Sequence, residues 1–222
     1  MTDTAAPGAA AAAAAANGSA SPIRAGLFVV QFRNRPLGRE EVTLGGTGGS
    51  CIELRATTMI SATSMTLHQT IVARFDGSLR PRRCAIAGEM NGRAHDVTLE
   101  IGDEEVELRV RHGGQDDVRT FRPRREPLLL VDNCFALHAL AGLAAARRPA
   151  DALSFESIPA FQEMGATAGP PERVLLGGHE FEPPTVTLHL ARELPEHVWI
   201  EDGWVRRLAI PKTHMIVDWR SA

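Results

Sequence analysis

The feature that most constrains the fold is an alternation of apolar and polar residues with a period of two, interrupted by turn-forming dipeptides. The clearest run covers residues 105–111, EVELRVR, in which every second residue is apolar. Residues 96–101 alternate in the same way, and a Gly-Asp dipeptide at 102–103 separates the two runs. Such alternation places one face of a strand against a core and the other in water, and a short Gly-containing turn joins two strands into a hairpin.

Asp-Gly and Asn-Gly dipeptides at 76–77, 91–92 and 202–203 also favour tight hairpin turns. Reading outward from these turns predicts further strands. In chain order they cover residues 27–33, 38–44, 51–56, 59–75 (two strands or one long bent strand), 83–90, 172–176, 185–191, 197–200, 204–211 and 214–219. We therefore predict a mainly β fold, a curved antiparallel sheet of about ten to twelve strands that forms a half-barrel or barrel-like structure. No regular series of helices separates the strands, which argues against a parallel α/β sheet.

One segment departs from this period and predicts a single helix. Residues 133–148 are apolar on nearly all sides, and a proline follows them. Asp132 precedes the segment and is predicted to be its N-cap, because a short acidic side chain accepts hydrogen bonds from the first helical N–H groups. A helix that is apolar all round must be buried, so we expect it against the concave face of the sheet. Residues 152–168 are predicted to be irregular apart from a short strand around Phe155.

The composition predicts two regions of different character. Residues 1–22 form an Ala-rich tail that we expect to be disordered, and residues 23–222 form a single β half-barrel domain. The tail has no Lys or Arg and only alanine where a secretory signal needs strongly apolar residues. The sequence as it stands therefore predicts a cytoplasmic location. The small residues at 18–20 leave an exported location open if the start is mis-assigned.

Charge and motif content exclude several classes of partner. The net charge of −3 gives no general attraction to nucleic acid, and no apolar run is long enough to span a membrane as a helix. Arginine-rich stretches at 80–83 and 122–125 are interpreted as solvated surface, with a patch for phosphate or acidic lipid as the alternative. The Gly-rich segment at 45–50 lacks the Lys of a phosphate-binding loop. The three widely spaced cysteines and scattered histidines predict no metal site and no cofactor, and the oligomeric state stays open.

Three stretches carry a resemblance to a known architecture. They are residues 32–41 (FRNRPLGREE), 128–140 (LLLVDNCFALHAL) and 198–217 (VWIEDGWVRRLAIPKTHMIV). The order of elements over most of residues 25–219 resembles the half-barrel of the bacterial lipoprotein carriers LolA and LolB, and of uncharacterised bacterial β-rich proteins with a similar architecture. The resemblance implies a cavity between the sheet and the helix that can hold an acyl chain, and it assigns no functional residue.

The leading functional hypothesis is binding of a hydrophobic ligand, such as a lipid, acyl chain or glycolipid, without catalysis. Phe135, His138 and Leu140 are the residues expected to line the cavity. One alternative is a structural or interaction domain with no ligand. The other is a Cys-His enzyme, since Cys134 and His138 are four residues apart on one face at the start of the helix. We assign no catalytic residue, because we expect Cys134 to be buried and inert.

Overall fold

The structure, a computed structural model, describes residues 22–47, 50–112, 114–148, 154–176, 178–189 and 194–222. The predicted disordered tail lies outside the described residues except for Pro22, which begins the first strand. A single α-helix, α1 (Phe135–Ala146), and a short 3-10 helix (Pro211–Thr213) accompany the strands in the described residues. The strands are β1 (Pro22–Phe32), β2 (Arg35–Gly46), β3 (Ile52–Ala62), β4 (Met65–Phe75), β5 (Pro81–Met90), β6 (Arg93–Ile101), β7 (Val106–His112), β8 (Gln115–Phe121), β9 (Pro127–Leu129), β10 (Ser154–Ile158), β11 (Gln162–Gly169), β12 (Val174–Leu176), β13 (His179–Phe181), β14 (Thr185–His189), β15 (Pro195–Glu201), β16 (Trp204–Ile210) and β17 (Met215–Ser221).

Fifteen of these strands form one curved sheet that does not close. Their order is β8-β7-β6-β5-β4-β3-β2-β1-β17-β16-β15-β14-β11-β10-β9, and β12 and β13 form a separate hairpin. All neighbours in the large sheet are antiparallel except β9 and β10, which are parallel. The prediction of a mainly antiparallel, barrel-like sheet with one buried helix is confirmed, although the strands are more numerous than predicted.

Local turn chemistry explains two of the hairpins that the sequence predicted. The tight turn predicted at 76–77 is wrong, because β4 and β5 are joined by a longer connection in which Leu79, with φ of 64°, has the positive φ. Asn91 and Gly92 have φ angles of 52° and 76°, and Asp202 and Gly203 have 51° and 69°. Two consecutive residues with positive φ form the tight turn whose twist matches that of paired strands. The strand residues on either side of each turn are paired directly. In the first hairpin, Met90 is paired with Arg93. The turn dipeptides therefore fix the register of both hairpins.

The helix lies in the core, as predicted. Every residue from Phe135 to Ala145 is buried except His138, which is half-buried. Contact with β15 is close, because a Cβ atom added at Gly142 would lie 2.8 Å from Val198 Cγ1. Gly142 thus allows the helix backbone to approach the sheet more closely than any other residue would.

Several boundaries differ from the prediction. The strand predicted over residues 51–56 continues to Ala62, and only the second part of residues 59–75 forms a separate strand, β4. Within residues 152–168, the predicted short strand around Phe155 is confirmed as β10, but the irregular structure predicted for the rest is wrong, because β11 pairs with β10 in a hairpin. β11 is rich in Gly and Ala but pairs with β14 on its other side, so pairing on both edges overrides weak strand propensity. No described helix has the length and apolar character needed to cross a membrane.

Candidate functional site

A row of polar side chains crosses the otherwise apolar inner face of the sheet. Glu40, Thr58 and Gln69 occupy directly paired positions on β2, β3 and β4. Their exposed fractions are 0%, 0% and 4%. Because side chains alternate between the two faces of a strand, these three residues share the core-facing side with Val42 and Ile71. Buried polar groups require partners, and the helix supplies them.

Glu40 caps the helix from across the interior. Its Oε2 accepts the backbone N–H of Phe135 at 3.0 Å and the Thr58 hydroxyl at 2.7 Å, while Oε1 accepts the N–H of Ala136 at 2.7 Å. The first N–H groups of a helix have no partner within the helix, and their partial positive charge favours an anion. Glu40 therefore does what an N-cap side chain does, but from a distant strand.

The predicted N-cap, Asp132, is wrong. The helix begins at Phe135, so the N-cap position belongs to Cys134, whose side chain makes no capping bond. Asn133 adopts a left-handed conformation with φ of 60°, which turns the chain between Asp132 and the helix. Gln69 Nε2 donates to the carbonyl of Asn133 at 3.4 Å, so the sheet also holds this turn.

Burial dominates the electrostatics of Glu40. Loss of solvent raises the pKa of Glu40 from 4.5 to about 7, although the hydrogen bonds from Thr58, Ala136 and Phe135 and the charge of His138 act in the opposite direction. The carboxyl group therefore titrates near neutral pH.

A second buried carboxylate contacts the helix one turn later. His138 Nδ1 lies 2.6 Å from Glu196 Oε2, and their side chains are 12% and 2% exposed. Burial alone would lower the pKa of His138, but the Glu196 carboxylate raises it, and the net shift is upward. His138 and Glu196 thus form an ion pair between the helix and β15 when the imidazole is protonated.

The thiol of Cys134 is buried, as predicted, with an exposed fraction of 0%. Burial and the nearby Glu40 carboxylate raise its pKa well above the usual value. Burial also raises the pKa of Cys84, on β5, to about 12. Only a thiolate is nucleophilic, so this arrangement disfavours reaction at Cys134.

The two ends of the barrel differ in apolar exposure. At the end that carries the turns at 33–34 and 91–92, Phe32 is 39% exposed, Met90 47% and Leu194 37%. Phe32 and Met90 lie in step with core-facing residues of β1 and β5, and Leu194 immediately precedes β15. We call these three residues the apolar rim.

At the opposite end, the large apolar side chains are buried. Phe75, at the end of β4, is 3% exposed, Leu79 in the following turn is 4% exposed, and Trp204 at the start of β16 is 2% exposed. The Trp204 ring packs against Trp219 with centroids 5.3 Å apart. Large apolar side chains are thus exposed at the apolar rim and buried at this end.

The three residues predicted to line a cavity occupy different environments. Phe135 and Leu140 belong to the packed core, with exposed fractions of 5% and 2%, and His138 contacts Glu196. Their role in ligand binding stays a prediction. Within the described ranges, no group of His, Cys, Asp and Glu side chains is arranged to hold a metal ion.

Sequence reasoning missed Glu40 and Glu196, although a signal for both is present. Glu40 lies two and four residues before the apolar Val42 and Leu44, and Glu196 lies two residues before Val198, so each shares a strand face with apolar residues. A charged residue on the apolar phase of an amphipathic strand points into the core and therefore needs a buried partner.

One solved structure shares this fold. The structure described as "Beta-barrel-like Protein of Domain of Unknown Function DUF1849 from Brucella abortus" aligns with a TM-score of 0.55 and 9% sequence identity, over 91% of this chain and 98% of that chain. At this identity the likeness shows the fold alone, a β-rich barrel-like architecture. No protein-family model matches the chain, and no curated protein matches it.

Proposed function

We propose that this protein binds an elongated hydrophobic ligand, such as an acyl chain, a lipid or a glycolipid, between the sheet and the helix, without catalysis. The observation that carries the proposal is the apolar rim, where Phe32, Met90 and Leu194 are left 37–47% exposed. Large exposed apolar side chains are common on ligand-binding and interaction surfaces, and these three lie at the same end of the barrel-like sheet.

The contrast between the two ends gives the ligand a direction of access. Phe75, Leu79 and Trp204 at the far end are each less than 5% exposed, which supports access from the apolar rim. A ligand would enter past the apolar rim and extend along the apolar inner face. The barrel-like fold is compatible with such binding, although fold similarity alone assigns no ligand.

One observation favours a different class, a structural or interaction domain with no ligand. The helix packs on β15 so closely that Gly142 has no space for a Cβ atom beside Val198. An interior filled in this way throughout would leave no room for an acyl chain. The same rim would then contact another protein.

The Cys-His enzyme receives less support. Cys134 is completely buried with a raised pKa, and His138 directs Nδ1 to Glu196. A nucleophilic thiol instead requires a lowered pKa and access to substrate.

Native mass spectrometry of protein purified from its own host is the first test. We expect a co-purified lipid that organic extraction removes. Added hexadecanoate should then raise the melting temperature, because a ligand that binds only the folded state stabilises it by about 3 kcal/mol at a hundred times its Kd. Absence of both effects would contradict the proposal and favour the interaction domain.

A matched pair of variants locates the site. Met90→Glu places a charge on the apolar rim and should abolish the hexadecanoate shift. Val118→Glu is the control, since Val118 is also 47% exposed but lies on β8 opposite Arg109, on the outer face. Equal effects of the two substitutions would show that binding does not occur at the rim.

A further inference from the structure

A cleft of about 320 Å³ lies beside strands β10 and β11, near the β9 edge of the large sheet. Its lining residues are Arg124, Arg125, Glu156, Phe161 and Glu163. The volume lies near the lower limit, about 300 Å³, of pockets that bind small molecules. No residue of the apolar rim lines the cleft, so an inference about it does not rest on the proposed function.

Two carboxylates face each other in this cleft. Glu156 on β10 and Glu163 on β11 are directly paired residues of neighbouring antiparallel strands. Like charges at directly opposite positions destabilise a sheet. Arg125 lies 3.6 Å from Glu163 and compensates that carboxylate. The pairing leaves the charge of Glu156 to be balanced by something else.

Glu156 is buried without a counter-charge. It is 7% exposed, and its Oε2 accepts the backbone N–H of Arg124 at 2.7 Å. Among the described residues, no Arg, Lys or His side chain lies within ion-pair distance of it. A buried carboxylate is costly unless it is paired, and Glu156 borders open space, so a cation bound in the cleft would balance its charge.

The cleft also offers an anion partner and an apolar surface. The Arg124 side chain is exposed, and no carboxylate in the described part of the chain pairs with it. The Phe161 ring lies 4.5 Å from that of Phe121, so it is held in place as one wall. An aromatic ring contacts aliphatic groups and also attracts cations through its face.

We propose that the cleft binds a small amino-acid-like zwitterion. Its ammonium or guanidinium group pairs with Glu156, its carboxylate pairs with Arg124, and its aliphatic part lies against Phe161. This arrangement balances the charge of Glu156 and that of Arg124 with one ligand. A patch for simple anions would use the arginines and leave Glu156 unpaired.

Isothermal titration calorimetry with L-arginine, agmatine and inorganic phosphate tests the proposal on the full chain. Agmatine keeps the guanidinium group of L-arginine but lacks the carboxylate. L-arginine should bind most tightly, agmatine several-fold more weakly, and phosphate should not bind. Tighter binding of phosphate than of L-arginine would overturn the proposal in favour of an anion patch. Absence of L-arginine binding would also overturn it.

Three variants assign the contacts. Glu156→Gln should weaken both organic ligands about tenfold, because it removes a charge-assisted hydrogen bond and keeps the acceptor for the Arg124 N–H. Arg124→Ala, an exposed change that retains the backbone donor, should reduce L-arginine to the affinity of agmatine and spare agmatine. Arg122→Ala, exposed and outside the cleft, is the control. If Glu156→Gln does not fold, Arg124→Ala decides alone, and equal weakening of both ligands by Arg124→Ala would refute the proposed orientation.

Discussion

Raising the pH from 5 to 8 should destabilise this protein, because the buried carboxyl group of Glu40 loses its proton in this range. Its pKa is 4.5 when exposed and about 7 in the folded protein. The folded state therefore holds a proton that the unfolded state releases between these values. The resulting stabilisation is complete below pH 4.5 and is lost as the pH rises through 7.

The magnitude follows from the two pKa values. One pKa unit corresponds to about 1.4 kcal/mol, so a rise from 4.5 to about 7 corresponds to about 3 kcal/mol. Most of this loss falls between pH 5 and 8. His138 also has a raised pKa and contributes with the same sign. Carboxyl groups with lowered pKa values, such as Asp76, stop stabilising the folded state only at lower pH. Their contribution to stability is therefore constant between pH 5 and 8.

Urea denaturation of wild type and Glu40→Gln at pH 5, 6, 7 and 8 measures the effect. The variant should lose about 2 to 3 kcal/mol less than wild type across this range, since its amide does not titrate. His138 keeps its Glu196 partner in both proteins, and loss of the Glu40 charge in the variant lowers the His138 pKa, which reduces the pH dependence in the same direction. Glu41→Gln is the control, because Glu41 is 57% exposed on the same strand and pairs with Arg39. Parallel pH profiles for wild type and Glu40→Gln would refute the reasoning.

Three further predictions concern the helix and the cysteines. His138→Ala leaves Glu196 buried without its partner, so urea denaturation at pH 7 should show a free energy of unfolding lower by about 3 to 5 kcal/mol. A loss below about 1 kcal/mol would show that the pair is not buried in solution. Gly142→Ala should destabilise by about 1 to 3 kcal/mol despite the better helix propensity of alanine, and adding Val198→Ala should restore stability if crowding is the cause. Iodoacetamide at neutral pH should modify the exposed Cys51 in folded protein and neither of the two buried cysteines, as measured by peptide mass spectrometry. Rapid labelling of a buried thiol would favour the enzyme hypothesis.

The parts of the fold that depend on neighbouring residues were predictable from sequence. Hairpins at 91–92 and 202–203 follow from dipeptides that accept positive φ, and alternation identified the strands beside them. The parts that depend on distant pairing were not predictable. β9 has three residues and pairs with β10, and β11 has a Gly-rich sequence with partners on both sides. Neither carries a local signal stronger than that of a loop.

In the helix, too, some features are predictable from local sequence and others depend on distant residues. Its existence and burial follow from an apolar sequence of helical length, but its first residue does not. The cap that fixes the start comes from Glu40, 95 positions away from Phe135. Asp132 was the reasonable local choice, yet the left-handed Asn133 separates it from the helix. No periodicity within residues 128–140 could have revealed a cap supplied by β2.

The buried polar groups fix the orientation of the apolar helix about its own axis. Because α1 is apolar on nearly every side, hydrophobic burial alone would tolerate many rotations about its axis. Three contacts select one rotation: Glu40 with the first N–H groups, His138 with Glu196, and Gly142 against Val198. Displacing the helix would leave two buried carboxylates and two backbone N–H donors without partners. The free energy of unfolding would fall by several kcal/mol. A ligand that enters at the apolar rim must therefore fit around a fixed helix and cannot take its place.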